Sequence, residues 1–90
     1  MRRKRPVLKV RVEDINLTYV KPKITQVLYQ YLILATDEYM HSEVFIVDAD
    51  KFDKQKVEEL IKQKYASRYR IPVAEVEVSW VVEPPRIQTK

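Results

Sequence analysis

The 90-residue sequence contains no glycine and no cysteine. Without cysteine, neither a disulfide framework nor a thiolate metal site can be built. Without glycine, the phosphate-cradling loops and dinucleotide fingerprints that need an unhindered backbone are excluded too. Turns must rest on Pro, Asn and Asp instead. Long apolar runs are also missing, so no segment reads as a membrane span. The opening stretch MRRKRPVLKV has the charge of a signal n-region, but Lys9, Arg11 and Glu13 interrupt any apolar core. A cytoplasmic protein is the expectation. The one histidine, His41, lies in the polar stretch DEYMHS with no acids at ligand spacing. It reads as an exposed loop residue, with no metal and no cofactor expected.

What is present suits a single small globular domain: 46% of residues are apolar and 33% charged, too apolar for a disordered chain. The net charge of +4 is matched by Arg2, Arg3, Lys4 and Arg5 alone. The organisation is therefore a basic arm (1–6), one domain (7–83) and a tail (84–90) that begins at Pro84-Pro85. Richness in Ile, Val, Tyr, Arg and Glu, with few thermolabile residues, points toward a thermophilic source.

The stretch from Glu43 to Val82 organises the chain as strand, helix, strand. Val57, Leu60, Ile61 and Tyr65 form an apolar stripe on a helical repeat over residues 51–66. Asp50 or Asp53 is placed to cap it. Lys54 with Glu58, and Glu58 with Lys62, are spaced for ion pairs on its exposed face. Residues 67–70 read as an exit segment before Pro72. Val76, Val78, Trp80 and Val82 then alternate with polar residues, as in a strand with one buried face.

Upstream, Leu8, Val10 and Val12 alternate with Lys9, Arg11 and Glu13 in a first strand. Residues 14–23 read as a turn and connection, with room for a short strand continuation. Residues 24–36 are apolar on both sides: Val27, Tyr29, Tyr31 and Ile33 on one, Leu28, Leu32 and Leu34 around Gln30 on the other. Such a strand is expected at the centre of a sheet. After a hairpin loop at 37–42, residues 43–48 form a third strand, antiparallel to the second. The predicted fold is α+β in the order β-β-β-α-β: a mainly antiparallel sheet of about four strands with one helix on one face. Its core is Leu8, Val10, Val12, Val57, Leu60, Ile61, Val76, Val78 and Trp80. One helix covers one face of such a sheet. The other is a candidate contact surface for a second copy or a partner, unless the 14–23 connection folds over it.

Two basic clusters are candidates for nucleic-acid contact. One is the arm Arg2, Arg3, Lys4, Arg5, which reads as a phosphate-binding tail or a solvated terminus. The other is Arg68, Tyr69 and Arg70, with Lys64 one turn earlier, where two guanidinium groups flank a ring suited to base stacking. The plainer reading of this second cluster is a basic helix C-terminus with Tyr69 packed on the core. No nucleophile–base pair or metal cluster can be assembled from the spacing, so an enzyme is not expected.

The order strand, loop, strand, helix, followed by Ala66-Ser67-Arg68-Tyr69-Arg70-Ile71 and then Val76 and Val78, resembles the LX-type large-subunit ribosomal proteins of archaea. The resemblance spans about Val27 to Val82 and implies ribosomal RNA binding through the post-helix turn. Ala66 stands where that family uses glycine, and Pro72, Val73, Glu75 and Glu77 replace positions that are typically basic there. The leading expectation is a small RNA-associated structural protein, with the ribosome as its candidate setting, that grips phosphates electrostatically. The alternative is a protein-interaction module, such as a homodimer or a small viral or plasmid-type regulator, that uses the uncovered sheet face or an edge strand. Glu75 and Glu77 favour that alternative, since they would repel a phosphate backbone.

Overall fold

The computed structural model describes residues 7–20 and 28–85. The arm residues Arg2, Arg3, Lys4 and Arg5 lie outside the described residues, as do most of the 84–90 tail and the start of the predicted second strand. Four strands and one long helix follow in the order β1 (Leu8–Val20), β2 (Leu28–Asp37), β3 (Ser42–Asp48), α1 (Lys54–Tyr69) and β4 (Val76–Trp80). Short 3₁₀ turns at Ala49–Lys51 and Val73–Glu75 lead into α1 and β4. The fold is the predicted α+β class, with sheet order β3-β2-β1-β4.

β1 and β2 pair antiparallel, as do β2 and β3, whereas β4 runs parallel to β1. That topology makes β3 and β4 point the same way from opposite edges. Their connection must therefore cross the sheet, and α1 is that crossing. Among the described residues, one face of the sheet is covered as a consequence, and only one.

Asp53 is the helix N-cap: its Oδ1 accepts from the N–H groups of Gln55 and Lys56 at 3.0 and 3.4 Å. Such a cap contributes about 1 kcal/mol. The helix runs three residues beyond the predicted end, so Ser67 to Tyr69 form its last turn and not an exit segment. It closes when Arg70 turns left-handed at φ 56° and the Ile71 N–H reaches the Ala66 carbonyl at 3.0 Å. This is the terminus that glycine usually makes.

β1 also departs from expectation. Residues 14–20 continue the strand, and a register shift between Val12 and Asp14 leaves Glu13 as an extra residue. The bulge reverses the alternation. Ile15, Leu17 and Tyr19 thus share a face with Leu8, Val10 and Val12, although their numbering is of opposite parity.

The core holds Leu8, Val10, Val12, Ile33, Ala35, Phe52, Val57, Ile61, Tyr65, Ala66 and Val76. Val78 and Trp80 pack against it half-buried. Leu60 does not belong to it and stays 47% exposed. At 100° per residue, the arc through Val57, Ile61, Tyr65 and Ala66 leaves Leu60 on its far side. Glu58 does not serve the predicted ion pairs either, because its carboxylate accepts from the Trp80 indole N–H at 2.5 Å.

Candidate functional site

At one end of the domain the last turn of α1 meets the β2–β3 turn, and Asp37 lies between them. Its carboxylate is fully buried. Oδ1 accepts from the N–H groups of Tyr39 and His41 at 2.9 and 2.8 Å, and Oδ2 accepts the Tyr69 hydroxyl. The Asp37 N–H and carbonyl close the same turn on His41 and Met40, each at 3.0 Å. Burial on its own would raise the Asp37 pKa. The hydrogen bonds from Tyr69, His41 and Tyr39, with the nearby His41, outweigh it and hold the carboxyl below the ordinary value.

Tyr65 ties down the same turn from beneath. Its buried hydroxyl is shared between the carbonyls of His41, at 2.8 Å, and Ala35, at 3.2 Å. Burial, and then the charges of Asp37 and Glu43, push its pKa well above the ordinary phenol range. The Tyr69 pKa is raised first by its bond to Asp37 and then by burial. His41 sits edge-on to Tyr65 and bonds the Glu43 carboxylate at 3.1 Å, so it belongs to this clamp.

The sequence-predicted basic cluster lies on top of the clamp. Arg68 is 3.8 Å from the Glu43 carboxylate and 6.0 Å from the Tyr69 ring centre. Lys64, one turn earlier, and Arg70 are exposed. Tyr69 is half-buried, its ring tilted against Tyr39 at 5.9 Å. Val7, Leu8, Tyr39, Tyr69 and Ile71, with Glu38 and Glu75, line a cavity of about 250 Å³ beside it. Val7 is where the basic arm joins the domain. Asp37, Tyr39, Tyr65 and Glu43 were missed as members of this cluster. Their signal was Asp37 opening a turn, a residue type that captures the N–H groups two and four positions on.

The helix-free face is the second candidate. Here Leu32 and Leu34 of β2 lie beside Ile46 and Val44 of β3, with Leu32 opposite Ile46 and Leu34 opposite Val44. Val44 and Ile46 are 57% and 60% exposed. Polar networks frame this strip. At one end Arg11 pairs with Glu13 at 2.8 Å, while the Thr36 hydroxyl bonds both Glu13 and Ser42. At the other end the Gln30 amide donates to Asp48 at 3.0 Å. Residues 14–20 do not fold over this face, because they extend β1.

Among the described residues no group of three or more His, Asp or Glu side chains is placed to hold a metal ion. No described helix is long and apolar enough to cross a membrane. No protein-family model, curated protein or solved structure matches this chain.

Proposed function

We propose that this protein is a non-catalytic protein-interaction module whose working surface is the helix-free face of β2 and β3. The observation that carries this reading is the exposure of Val44 and Ile46, beside Leu32 and Leu34 and between two hydrogen-bonded polar borders. An apolar centre with a polar rim is the anatomy of a protein contact surface. Acids accompany many of the described basic side chains: Arg11 pairs with Glu13, Lys9 lies opposite Glu77 on β4, and Glu58 and Glu59 stand between the helix lysines. The experiment is affinity capture from expressing cells with the wild-type chain and with Ile46→Lys. Loss of the same bound proteins in the variant is expected; an unchanged set would sink the reading.

A second reading, an RNA-associated protein, is favoured by where Val7 lies. The described residues contain all 13 acidic side chains, whereas Arg2, Arg3, Lys4, Arg5, Lys21, Lys23, Arg86 and Lys90 lie outside them. Val7 shares a cavity with Tyr69, so two basic clusters far apart in sequence join the domain at the same end. Arm, Arg68, Arg70 and Lys64 together would neutralise phosphates and give little sequence readout, with affinity falling steeply as salt rises. The test is fluorescence anisotropy on a structured RNA at low and moderate salt. The full chain is compared with a chain lacking residues 1–5 and with an Arg68→Ala, Arg70→Ala double variant. Binding that weakens with salt and in both variants is expected; no binding by the full chain at low salt would reject this second reading.

A further inference from the structure

Among the described residues, the outer edge of β3 lacks most of the features that keep a strand from pairing with another chain. Edge strands are normally blunted by charged side chains, Lys above all, by Pro, a bulge, shortness or a covering element, and of these β3 carries only the acids Glu43 and Asp48. β3 has seven residues, Ser42-Glu43-Val44-Phe45-Ile46-Val47-Asp48, with no Lys or Pro, and its pairing with β2 is unbroken from Ser42 to Asp48. The helix packs toward the other edge, against β4. β4 by contrast is five residues long, and soon after it come Pro84 and Pro85. Among the described residues, the β4 edge is protected and the β3 edge is open.

We propose that the partner of this surface is a second copy of the chain, joined by antiparallel pairing of β3 with β3 about a two-fold axis through Phe45. This rests on the interaction-module reading and names its partner. Phe45 is the middle residue of the strand, so this register pairs the full length. Val44 then faces the partner's Ile46, and Glu43 faces the partner's Val47. Asp48 faces the partner's Ser42. The strand carries two acids and no base, yet no carboxylate meets a carboxylate directly across the junction. A parallel in-register pairing would set Glu43 on Glu43 and Asp48 on Asp48, which like-charge repulsion disfavours.

The axis stands perpendicular to the sheet, as antiparallel pairing in one continuous sheet requires. Both helices therefore lie on the same side, and the two apolar strips merge on the other. Val44 and Ile46 of each copy become one row of β-branched cross-strand pairs, flanked by Leu32 and Leu34. The pairing uses the open edge of both copies, so assembly closes at two and does not propagate.

The absence of cysteine supplies a direct test. Val44→Cys and Ile46→Cys are made separately in the full chain, both at exposed positions that leave the core untouched, and are then mixed, exchanged and oxidised. Directly paired strand residues lie within disulfide range, whereas each substituted position meets its own copy only on the diagonal. The expected result is a disulfide dimer in the mixture and little in either variant alone. Sedimentation should show a wild-type dimer and an Ile46→Lys monomer of unchanged circular dichroism. A wild-type monomer at all concentrations, or a dimer without the 44–46 cross-link, would overturn the proposal. Capture then tells the two failures apart. If Ile46→Lys still loses bound proteins, the surface serves another partner; if it loses none, the interaction-module reading fails with it.

Discussion

The Tyr69 hydroxyl donates to the Asp37 carboxylate across 32 positions of sequence, fastening the end of the helix to the turn between β2 and β3. Asp37 is fully buried and accepts two backbone N–H groups as well. Removing the carboxylate strands three donors, whereas removing the hydroxyl leaves Asp37 with two partners. Asp37→Ala is therefore expected to cost about 3 kcal/mol and Tyr69→Phe about 1 kcal/mol. Urea unfolding of the two variants checks the order. Equal and small losses would mean that the clamp contributes little.

The same clamp contributes to stability in a pH-dependent way. Asp37 has a folded pKa below its unfolded value. Its contribution is full above the unfolded value, about 3.9, and is lost as pH falls through the folded one. Tyr65 and Tyr69 have raised folded values. Their contributions are full below the unfolded value, about 10, and are lost as pH rises through the folded ones. Asp37→Asn should flatten the acid limb of the stability profile, and Tyr65→Phe the alkaline limb. Thermal unfolding as a function of pH reads both limbs.

How the helix is turned decides which of two neighbouring apolar residues matters. Ile61 is fully buried while Leu60 is 47% exposed. Ile61→Ala is expected to cost about 3 kcal/mol, and Leu60→Ala less than about 1 kcal/mol. Denaturant midpoints measure the difference. Similar costs would show that Leu60 packs against the domain after all.

Much of this architecture was legible in the alternation of Leu8, Val10 and Val12 and in the two-sided apolar pattern around Gln30. That pattern placed β2 at the centre and left one sheet face open. The Glu13 bulge was not legible: a strict period of two puts Ile15, Leu17 and Tyr19 on the wrong side of β1, and only pairing with β2 shows the extra residue. Leu60 was misplaced because the spacing of Val57, Leu60 and Ile61 fits two rotations of the helix, and Ala66 decides between them. The basic cluster at Arg68 to Arg70 could be read from sequence. Its attachment to Glu43 and Asp37 could not, because both lay in stretches that looked like polar loop and strand edge.

Trp80 reports on the junction between α1 and β4. Its indole N–H bonds Glu58, and the Lys54 ammonium lies 5.7 Å from its ring centre. It is the one tryptophan in the chain, so its fluorescence isolates this contact. Glu58→Ala should shift the emission to the red as water reaches the ring, and cost about 1 kcal/mol. An unchanged spectrum would mean that the indole is held by packing alone.

In a chain without glycine, two residues bear left-handed backbone conformations among the described residues: Met40 at φ 67° and Arg70 at φ 56°. A side chain with a Cβ is disfavoured there by about 1 kcal/mol, and such positions are retained where the side chain serves a purpose. Arg70→Gly and Met40→Gly should therefore each raise stability by about 1 kcal/mol, read as a higher Tm. They separate strain from function. If Arg70 contacts phosphate, Arg70→Gly weakens RNA binding while stabilising the fold, and Met40→Gly stabilises without touching that binding. If both variants gain stability and RNA affinity is unchanged in both, Arg70 is a helix terminus made without glycine, and the basic character of the post-helix turn has no part in recognition.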